Sequence, residues 1–567
     1  MKTSILAASL LFGASFVTLG SAFFPQSASA QDAERATGPN YQLFLMGDEM
    51  ALCSSMAWTH CNDTDWLDGK TMRTDRYINL SDNYTKPLLD DKLWPAHRRK
   101  TRDDVKMALE ILYDRMRSEV VPERSFQDEF TRRATRHLYD SLSEREWNLI
   151  IDHLEMPAPK GKHDTARIKL TKILAKRQIL QAMLGQADKV RGSDDMPRIA
   201  IAAAGARDPI TAVEPFISAF ESLGAEVRWL PIDAAVNTAQ RSGKCDDLDA
   251  LREQELGTWK RARVFPEQHK QQVAFCKDAL QGPKIVDWAD AVLIVGNDPS
   301  LVRKAFLDPL SQPTDLMTSI YLKMRANKLV VGATSDAMNA MTARSMVASG
   351  TSAEALRAGA IAGEAPPFAC NKDDSCPRNM NSDSATYHPL GGVGLFNVAT
   401  LDGQFSDMGR HGRLLRVAAT TNTPVAVGID MRTALAVNVL NGAFEVLGER
   451  GVFFGIGAQQ TENAVAATFH YLAAGARGQF TDDGVTNVKF AKGEEVVQEA
   501  PTTRFLNNRG MVDSLRLLCQ ERNSFNLIEK DFRLMVAGDE ATKRVKAGGE
   551  CQVTDARIGL SWQPDTF

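Results

Sequence analysis

Residues 328–340 read Lys-Leu-Val-Val-Gly-Ala-Thr-Ser-Asp-Ala-Met-Asn-Ala. The short apolar run at the start of this stretch is typical of a buried strand. The residues after it predict a tight turn and then a helical run to about Val347. A strand that leads through a short turn into a helix is the repeating unit of α/β folds, in which helices cover both faces of a mainly parallel sheet.

The same pattern recurs from residue 197 onward. Further strands alternating with helices are predicted at 198–205, 226–230, 290–296 and 424–429. Ligands in sheets of this type bind beyond the carboxyl ends of the strands. The turns after Gly296 and Gly332 are therefore where the sequence predicts a functional site.

Residues 97–192 have a different pattern, helical and heavily charged. Apolar side chains recur there at three- and four-residue spacing, which predicts an amphipathic helix; they are Val105, Leu109, Leu112 and Met116. Ser143, three residues before Glu146, forms a capping box that begins another helix.

Charge and composition exclude two classes of partner. The chain has 67 Lys and Arg against 71 Asp and Glu, a formal net charge of −4, and a sequence pI near 6.2. This balance provides no electrostatic surface for nucleic acid or for an anionic membrane. With 44% hydrophobic and 24% charged residues, the composition is that of a folded globular chain.

The first 30 residues have the parts of a secretory signal peptide. Lys2 is the only charged residue before Asp32, an apolar stretch follows it, and Ala28-Ser29-Ala30 forms an A-x-A cleavage site. We expect cleavage after Ala30 and a secreted or periplasmic mature protein. No later segment reaches about eighteen consecutive uncharged apolar residues, so we expect no membrane span in the mature chain.

The 8 cysteines fall into pairs that are close in sequence, namely Cys53 with Cys61, Cys245 with Cys276, Cys370 with Cys376, and Cys519 with Cys551. An even number of cysteines in an exported chain predicts disulfides, although the sequence leaves their connectivity open. The alternative is a metal site, but no C-x-x-C motif occurs and His60 is the one histidine beside a cysteine pair. We therefore expect neither a metal nor a cofactor.

Ser335 lies on the turn that follows the strand at 328–332. A serine on a tight strand-to-helix turn holds its hydroxyl at the edge of the sheet, where N–H groups at the start of the helix stabilise a developing oxyanion. The alternative is structural, because Ser335 or Thr334 would also cap the following helix and Asp336 suits its first turn. Spacing alone leaves both interpretations open.

Two later segments resemble a known family. Residues 401–415 read Leu-Asp-Gly-Gln-Phe-Ser-Asp-Met-Gly-Arg-His-Gly-Arg-Leu-Leu, and residues 428–435 read Gly-Ile-Asp-Met-Arg-Thr-Ala-Leu. With the Ser335 turn they resemble the cyanophycinase family, which forms one group of serine exopeptidases with dipeptidase E. The family pattern is G-G-T-S-A-G-A at the nucleophile, then D-Q-H-F-x-x-R-x-R-x-x-R, then G-I-D-E-x-T-A-L. Order and spacing match from residue 197 to about 460.

The resemblance implies a fold and a domain organisation. The fold is α/β, with a flavodoxin-like (class I glutamine amidotransferase-like), mainly parallel sheet, helices on both faces and a helical insertion. The implied segments are a signal peptide at 1–30, the first core strand with a disulfide loop at 31–61, the helical insertion at 62–196, the cyanophycinase-like α/β core at 197–460, and C-terminal strands with a disulfide-tied segment completing the core at 461–567.

The resemblance also assigns site positions. The family nucleophile falls on Ser335, its catalytic histidine on Gln404 and its glutamate on Met431. A neutral amide cannot take the proton of the serine, and a thioether cannot orient an imidazole, so two members of the triad are missing. The backbone N–H groups at Asn297 and Asp336 correspond to the oxyanion donors.

Three charged family positions are retained, Asp402, Arg410 and Arg413. Arginine binds carboxylates bidentately, so we expect these residues to bind a ligand; the alternative is that the arginines pair with structural acids. His388 is the candidate for a relocated base. His411 would lie about 10 Å along a helix from Gln404, too far for direct proton transfer.

The expected function is therefore binding. We expect an exported protein of serine exopeptidase ancestry that has lost catalysis and binds a peptide-like small ligand or a protein partner; a homodimer would follow the habit of the family. The first alternative is an active serine-type hydrolase that cleaves β-aspartyl or related peptide bonds with Ser335 and a relocated base. The second is a scaffold that acts through the helices at 97–192.

Overall fold

The computed structural model describes residues 40–132, 135–492, 504–520, 522–547 and 550–564. The predicted signal peptide and its cleavage site after Ala30 lie outside the described residues. Within the described ranges, no helix is both long and apolar enough to cross a membrane.

The described strands are β1 Leu43–Met46, β2 Tyr77–Asn79, β3 Val120–Pro122, β4 Arg198–Gly205, β5 Glu226–Trp229, β6 Ala291–Gly296, β7 Val330–Thr334, β8 Met346–Ser349, β9 Ala360–Ala362, β10 Ala385–His388, β11 Ala399–Asp402, β12 Val425–Ile429, β13 Thr433–Val437, β14 Ala443–Gly448, β15 Gly451–Gln460, β16 Ala464–Ala473, β17 Arg477–Thr481, β18 Gly484–Lys489, β19 Ser524–Glu529, β20 Phe532–Ala537, β21 Lys543–Ala547 and β22 Glu550–Trp562.

The described α-helices are α1 Asp82–Leu88, α2 Arg99–Met116, α3 Glu123–Phe130, α4 Arg136–Ser141, α5 Glu144–Leu154, α6 Leu174–Arg191, α7 Pro209–Ser222, α8 Ala234–Ser242, α9 Leu248–Glu255, α10 Arg261–Val264, α11 Pro266–Lys277, α12 Gln281–Trp288, α13 Pro299–Phe306, α14 Asp315–Arg325, α15 Ser352–Ala358, α16 His411–Thr420, α17 Gly510–Ser514 and α18 Arg516–Cys519.

The central sheet has the strand order β18-β17-β14-β13-β1-β7-β6-β4-β5. Its strands β1, β7, β6, β4 and β5 run parallel, and β13 joins β1 antiparallel. Every residue of β1 is buried: Leu43 and Leu45 pack into the core on one face of the sheet, and Phe44 and Met46 into the core on the other. The predicted α/β class with a largely parallel central sheet is confirmed.

A second sheet has the order β11-β12-β15-β16-β22-β20-β19. The predicted strand at 424–429 forms as β12, but it pairs antiparallel with β15 in this sheet, so its assignment to the parallel sheet is wrong. A buried strand has the same apolar composition in either sheet, and the local sequence does not encode its partner.

A short 3₁₀ helix at Ser335–Met341 replaces the predicted helical run to about Val347. The backbone beyond it bonds to a neighbouring loop instead: Ala343 N–H donates to the Phe396 carbonyl at 2.7 Å, and Gly392 N–H donates to the Thr342 carbonyl at 2.9 Å. These bonds take the backbone groups that a longer helix would need.

The predicted helical features at 97–192 are present. Val105, Leu109 and Leu112 are buried on α2. The capping box before α5 has both of its hydrogen bonds, with Ser143 and Glu146 each accepting from the other's backbone N–H. These helices have a hydrophobic core of their own.

Arg261 joins this helical region to the α/β core. Its guanidinium is fully buried and contacts Glu155 at 2.7 Å, Asp208 at 2.8 Å and Asp152 at 3.3 Å. Burial alone would lower the pKa of Arg261, but the three carboxylates outweigh burial and raise it well above its ordinary value. The helices are thus tied to the core through charge.

Four disulfides join cysteines that are close in sequence, namely Cys53–Cys61, Cys245–Cys276, Cys370–Cys376 and Cys519–Cys551. They are the local pairs that the sequence predicts.

Candidate functional site

The carboxyl ends of β1, β4, β6 and β7 meet at one edge of the central sheet and enclose a cavity of about 240 Å³. It is lined by Glu49, Ala206, Ala212, Phe216, Val295, Gly296, Asn297 and Thr334. The turns after β4 and β6 approach each other so closely here that a Cβ on Gly296, at φ +138°, would lie 2.0 Å from the carbonyl carbon of Gly205. The cavity lies where ligands bind in sheets of this kind.

Ser335 lies directly after β7, beside this cavity. It is fully buried and has φ +51°, a left-handed conformation uncommon for a residue other than glycine. Its N–H donates to the Asp48 carbonyl at 3.0 Å, and its Oγ accepts a hydrogen bond from Gln404 Nε2 at 2.7 Å. The N-cap residue of the following helix is Thr334, which makes no side-chain capping bond. Ser335 is therefore not a helix cap in this structure.

Gln404 is held rigidly against Ser335. Its φ is +46°, its N–H donates to the Gly47 carbonyl at 2.7 Å, and the preceding Gly403 N–H donates to Asn339 Oδ1 at 3.1 Å. The structure thus brings together the positions that the resemblance assigns to the nucleophile and to the base. The base position carries an amide that donates to the serine oxygen, the opposite of what a general base does.

Met431, at the predicted glutamate position, lies in the turn between β12 and β13 and is half-buried. Its N–H donates to Asp407 Oδ2 at 2.9 Å. Its thioether has no charge with which to support a base.

The retained charged residues pair with one another. Arg413 donates to both carboxylate oxygens of Asp402, at 2.8 and 2.6 Å, and Arg410 donates to both oxygens of Asp336, at 2.5 and 3.0 Å. Burial alone would lower the pKa of Arg410, but Asp336 and Asp402 outweigh burial and raise it. Both guanidinium groups thus face protein carboxylates, as in the structural alternative.

The remaining predicted residues have other partners. Asn297 N–H donates to the Gly205 carbonyl at 3.0 Å, so this oxyanion candidate is already engaged. His388, at the end of β10, is half-buried, and burial, followed by Arg303, lowers its pKa. Within the described part of the chain, no hydrogen bond joins His388 to Ser335.

His411 begins α16 and is buried between the rings of Phe405 and Phe453, with ring centroids 4.4 and 5.1 Å away. Neither of its ring nitrogens has a hydrogen-bond partner among the described residues. Burial lowers its pKa to about 4. It is a core side chain and does not reach Ser335.

Sequence reasoning missed Asp48 and Glu49, which follow β1. Asp48 is buried; its carbonyl holds Ser335, and its carboxylate accepts from Arg432 N–H at 3.0 Å and lies 3.3 Å from Lys176 Nζ. Glu49 is exposed at the cavity. The signal was available, since both residues follow a predicted strand at its carboxyl end.

A buried ionic network behind the Gln404 turn was also missed. Asp430 accepts from Ser406 N–H at 2.9 Å and from Arg509 at 2.8 Å, and Arg509 also contacts Glu550 at 2.5 Å. Burial raises the pKa of Glu550 to about 7, although Arg509 opposes the change. No motif marks these residues, which are far apart in the sequence.

Comparison with models of known protein families finds no match. Among solved structures, the chain is similar to a crystal structure of a peptidase from an acI-B1 Actinobacterium, with 15% sequence identity and a TM-score of 0.32. The similarity covers 53% of this chain and 91% of that chain. The activity therefore has to be argued from the site itself.

Proposed function

We propose that the protein is an exported, cyanophycinase-like protein of serine exopeptidase ancestry that has lost catalysis and binds a peptide-like ligand at the carboxyl edge of its central sheet. One observation carries the loss of catalysis: Gln404 Nε2 donates to Ser335 Oγ at 2.7 Å. A serine becomes a nucleophile when a neighbouring base takes its proton, and an amide cannot do so.

No other described side chain supports a base at Ser335. His388 and His411 lie elsewhere, and the Asp336 carboxylate is bound by two hydrogen bonds from Arg410. To accept the serine proton, Asp336 would have to give up this charge-assisted pair, which is stronger than a neutral hydrogen bond.

The cleft itself is intact. The cavity of about 240 Å³ combines apolar walls from Phe216 and Val295 with the amide of Asn297 and the carboxylate of Glu49. A concave, mostly apolar cavity with a few polar groups is the usual form of a small-ligand site. Binding without chemistry is what this arrangement supports best.

Covalent labelling tests the loss of catalysis. A fluorophosphonate probe should leave Ser335 unmodified in the wild-type protein by intact mass, and cyanophycin, β-aspartyl dipeptides and α-dipeptides should not be hydrolysed above the level of Ser335→Ala. The double variant Gln404→His/Met431→Glu should gain labelling that Ser335→Ala removes in the same background. Labelling of wild-type Ser335 would overturn the proposal.

Thermal stabilisation tests the binding. A dipeptide at about a hundred times its Kd should stabilise the protein by about 2.7 kcal/mol. Ala212→Leu, which places a larger side chain in the cavity wall, should remove this effect, whereas Ala353→Leu on α15, away from the cavity, should not. Equal stabilisation of both variants would place the ligand elsewhere.

An active, divergent hydrolase is the second candidate, and the conformation of Ser335 favours it. A non-glycine residue in the left-handed region costs about 1–3 kcal/mol, and such strain is often retained where it orients a reactive group. Ser335 at φ +51° keeps that strain although it caps no helix. The labelling experiment separates the two candidates.

A further inference from the structure

The second sheet carries a trough on its open face, separate from the Ser335 cleft. Its volume is about 580 Å³, and it crosses strands β16, β22, β20 and β19. The turn between β15 and β16 contributes its rim at Gln459. Neither proposal depends on the other.

The strand register explains the shape of the floor. One row across the sheet runs Ala464, Ser561, Arg533 and Ile528, and the next runs Ala466, Gly559, Met535 and Asn526. Small residues thus occupy β16 and β22, and larger ones occupy β20 and β19. A Cβ on Gly559 would meet nothing closer than Met535 Cε at 4.0 Å, so the floor has open space above it.

The side of the trough formed by β19 and β20 is apolar and exposed. Ile528 is 55% exposed and Met535 is 56% exposed, although both lie on regular strands. The side chains of Asn526 and Gln459, also exposed, add amide groups at opposite ends of the floor. Amides of this kind match the donors and acceptors of a peptide backbone.

Arg533 is the only charged residue that lines the trough. Its Nε donates to Gln563 Oε1 at 2.5 Å, and among the described residues no carboxylate pairs with it. Arg557, on the neighbouring strand β22, is different, because Asp539 binds it at 2.9 Å. The trough therefore presents one uncompensated guanidinium, which suits a carboxylate.

We propose that this trough binds a short, extended peptide that carries a carboxylate. The backbone of the peptide lies over Ala466 and Gly559, its apolar side chains contact Ile528 and Met535, and its carboxylate pairs with Arg533. Four strands about 4.8 Å apart give a floor about 14 Å across, which about four residues of extended chain span. The carboxylate comes from an acidic side chain or from the C-terminus of the peptide.

Three tetrapeptides test the proposal by saturation-transfer NMR and titration. Acetyl-Ala-Val-Ala-Glu-amide carries a side-chain carboxylate, acetyl-Ala-Val-Ala-Ala with a free C-terminus carries an α-carboxylate, and acetyl-Ala-Val-Ala-Gln-amide carries neither. We expect at least one of the first two to bind at least tenfold more tightly than the third. The stronger of the two identifies the source of the carboxylate.

The variants assign the binding to the trough. Arg533→Gln should weaken binding of the acidic peptide at least tenfold, and Gly559→Val, which fills the floor, should also weaken it. Arg557→Gln, on the same face but outside the trough, is the matched control and should bind like wild type, as should Ser335→Ala. All four substitutions lie at sites where circular dichroism can confirm the fold.

Several results would overturn the proposal. Equal binding of all three peptides would remove the role of the charge, and undiminished binding to Arg533→Gln would remove the role of the trough. No binding by any of the peptides would have the same consequence. Binding seen only in a chain that ends at Pro564 would assign the trough to the last three residues of this chain instead.

Discussion

We predict that His411 makes the protein less stable in mild acid. Its residue is 2% exposed, and burial lowers its pKa to about 4, whereas the pKa in the unfolded chain is about 6.5. As the pH falls below the unfolded value, the unfolded state binds a proton that the folded state does not, so stability is lost down to the folded value. These two pKa values give a loss of about 2 kcal/mol between pH 7.5 and pH 5.

The test is the substitution His411→Phe, which keeps an aromatic ring between Phe405 and Phe453 but removes the titrating group. Urea unfolding with intact disulfides, at both pH values, gives the change in unfolding free energy for each protein. The variant should lose about 2 kcal/mol less than the wild type on acidification. His137→Phe, on the exposed side of α4, is the control and should keep the wild-type dependence.

The comparison does not depend on how stable the variant is at neutral pH, since only the difference between the two pH values reports the titration. If His411→Phe lost as much stability on acidification as the wild type, the buried imidazole would not be the group that binds the proton, and the reasoning would be refuted. A buried, uncharged His411 is also the reason why this residue cannot serve as a base at neutral pH in the folded protein.

Three further predictions concern buried charge and close backbone contacts. Arg261→Met strands three buried carboxylates and should cost about 3–5 kcal/mol in urea unfolding at pH 7; the cost should shrink at pH 5, where carboxylates can bind protons, and growth there would contradict the prediction. Arg413→Met should destabilise similarly because the buried Asp402 lies 2.6 Å away, and Arg413→Met/Asp402→Leu should recover part of the loss in a double-mutant cycle; no recovery would show that charge is not the cause. Gly296→Ala should greatly reduce the yield of folded protein on size exclusion, because its added Cβ would lie 2.0 Å from neighbouring backbone, whereas Gly185→Ala, within α6 and with nothing inside 4 Å, should gain about 0.5–1 kcal/mol; equal yields would refute the steric argument.

The parallel part of the fold could be predicted because each of its strands is buried on both faces. Residues 199–204 and 291–295 are fully buried apolar runs, and such runs predict a strand whatever lies around them. The second sheet could not be predicted in the same way. Its strands β16 and β22 pair Ala464 with Ser561 across a long stretch of chain, and nothing local specifies that pairing.

The candidate site shows the same division. The resemblance placed Ser335 and Gln404 correctly relative to each other, since they are in hydrogen-bond contact. It did not predict that Arg410 would pair with Asp336, 74 residues earlier, because the position of Asp336 is small in the family and its charge is particular to this chain. Residue types at family positions were thus predictable, but their partners were decided by a substitution outside the family pattern.

The direction of one hydrogen bond now decides what the site can do. With Gln404 Nε2 toward Ser335, the serine oxygen accepts and its proton has no base. If the amide turned over, its oxygen would accept the serine proton in a hydrogen bond, but a neutral amide oxygen does not remove a proton from an alcohol near pH 7. Either orientation therefore leaves Ser335 an alcohol. Chemistry at this site requires a new base, and the neighbouring carboxylate of Asp336 becomes one only after Arg410 has let it go.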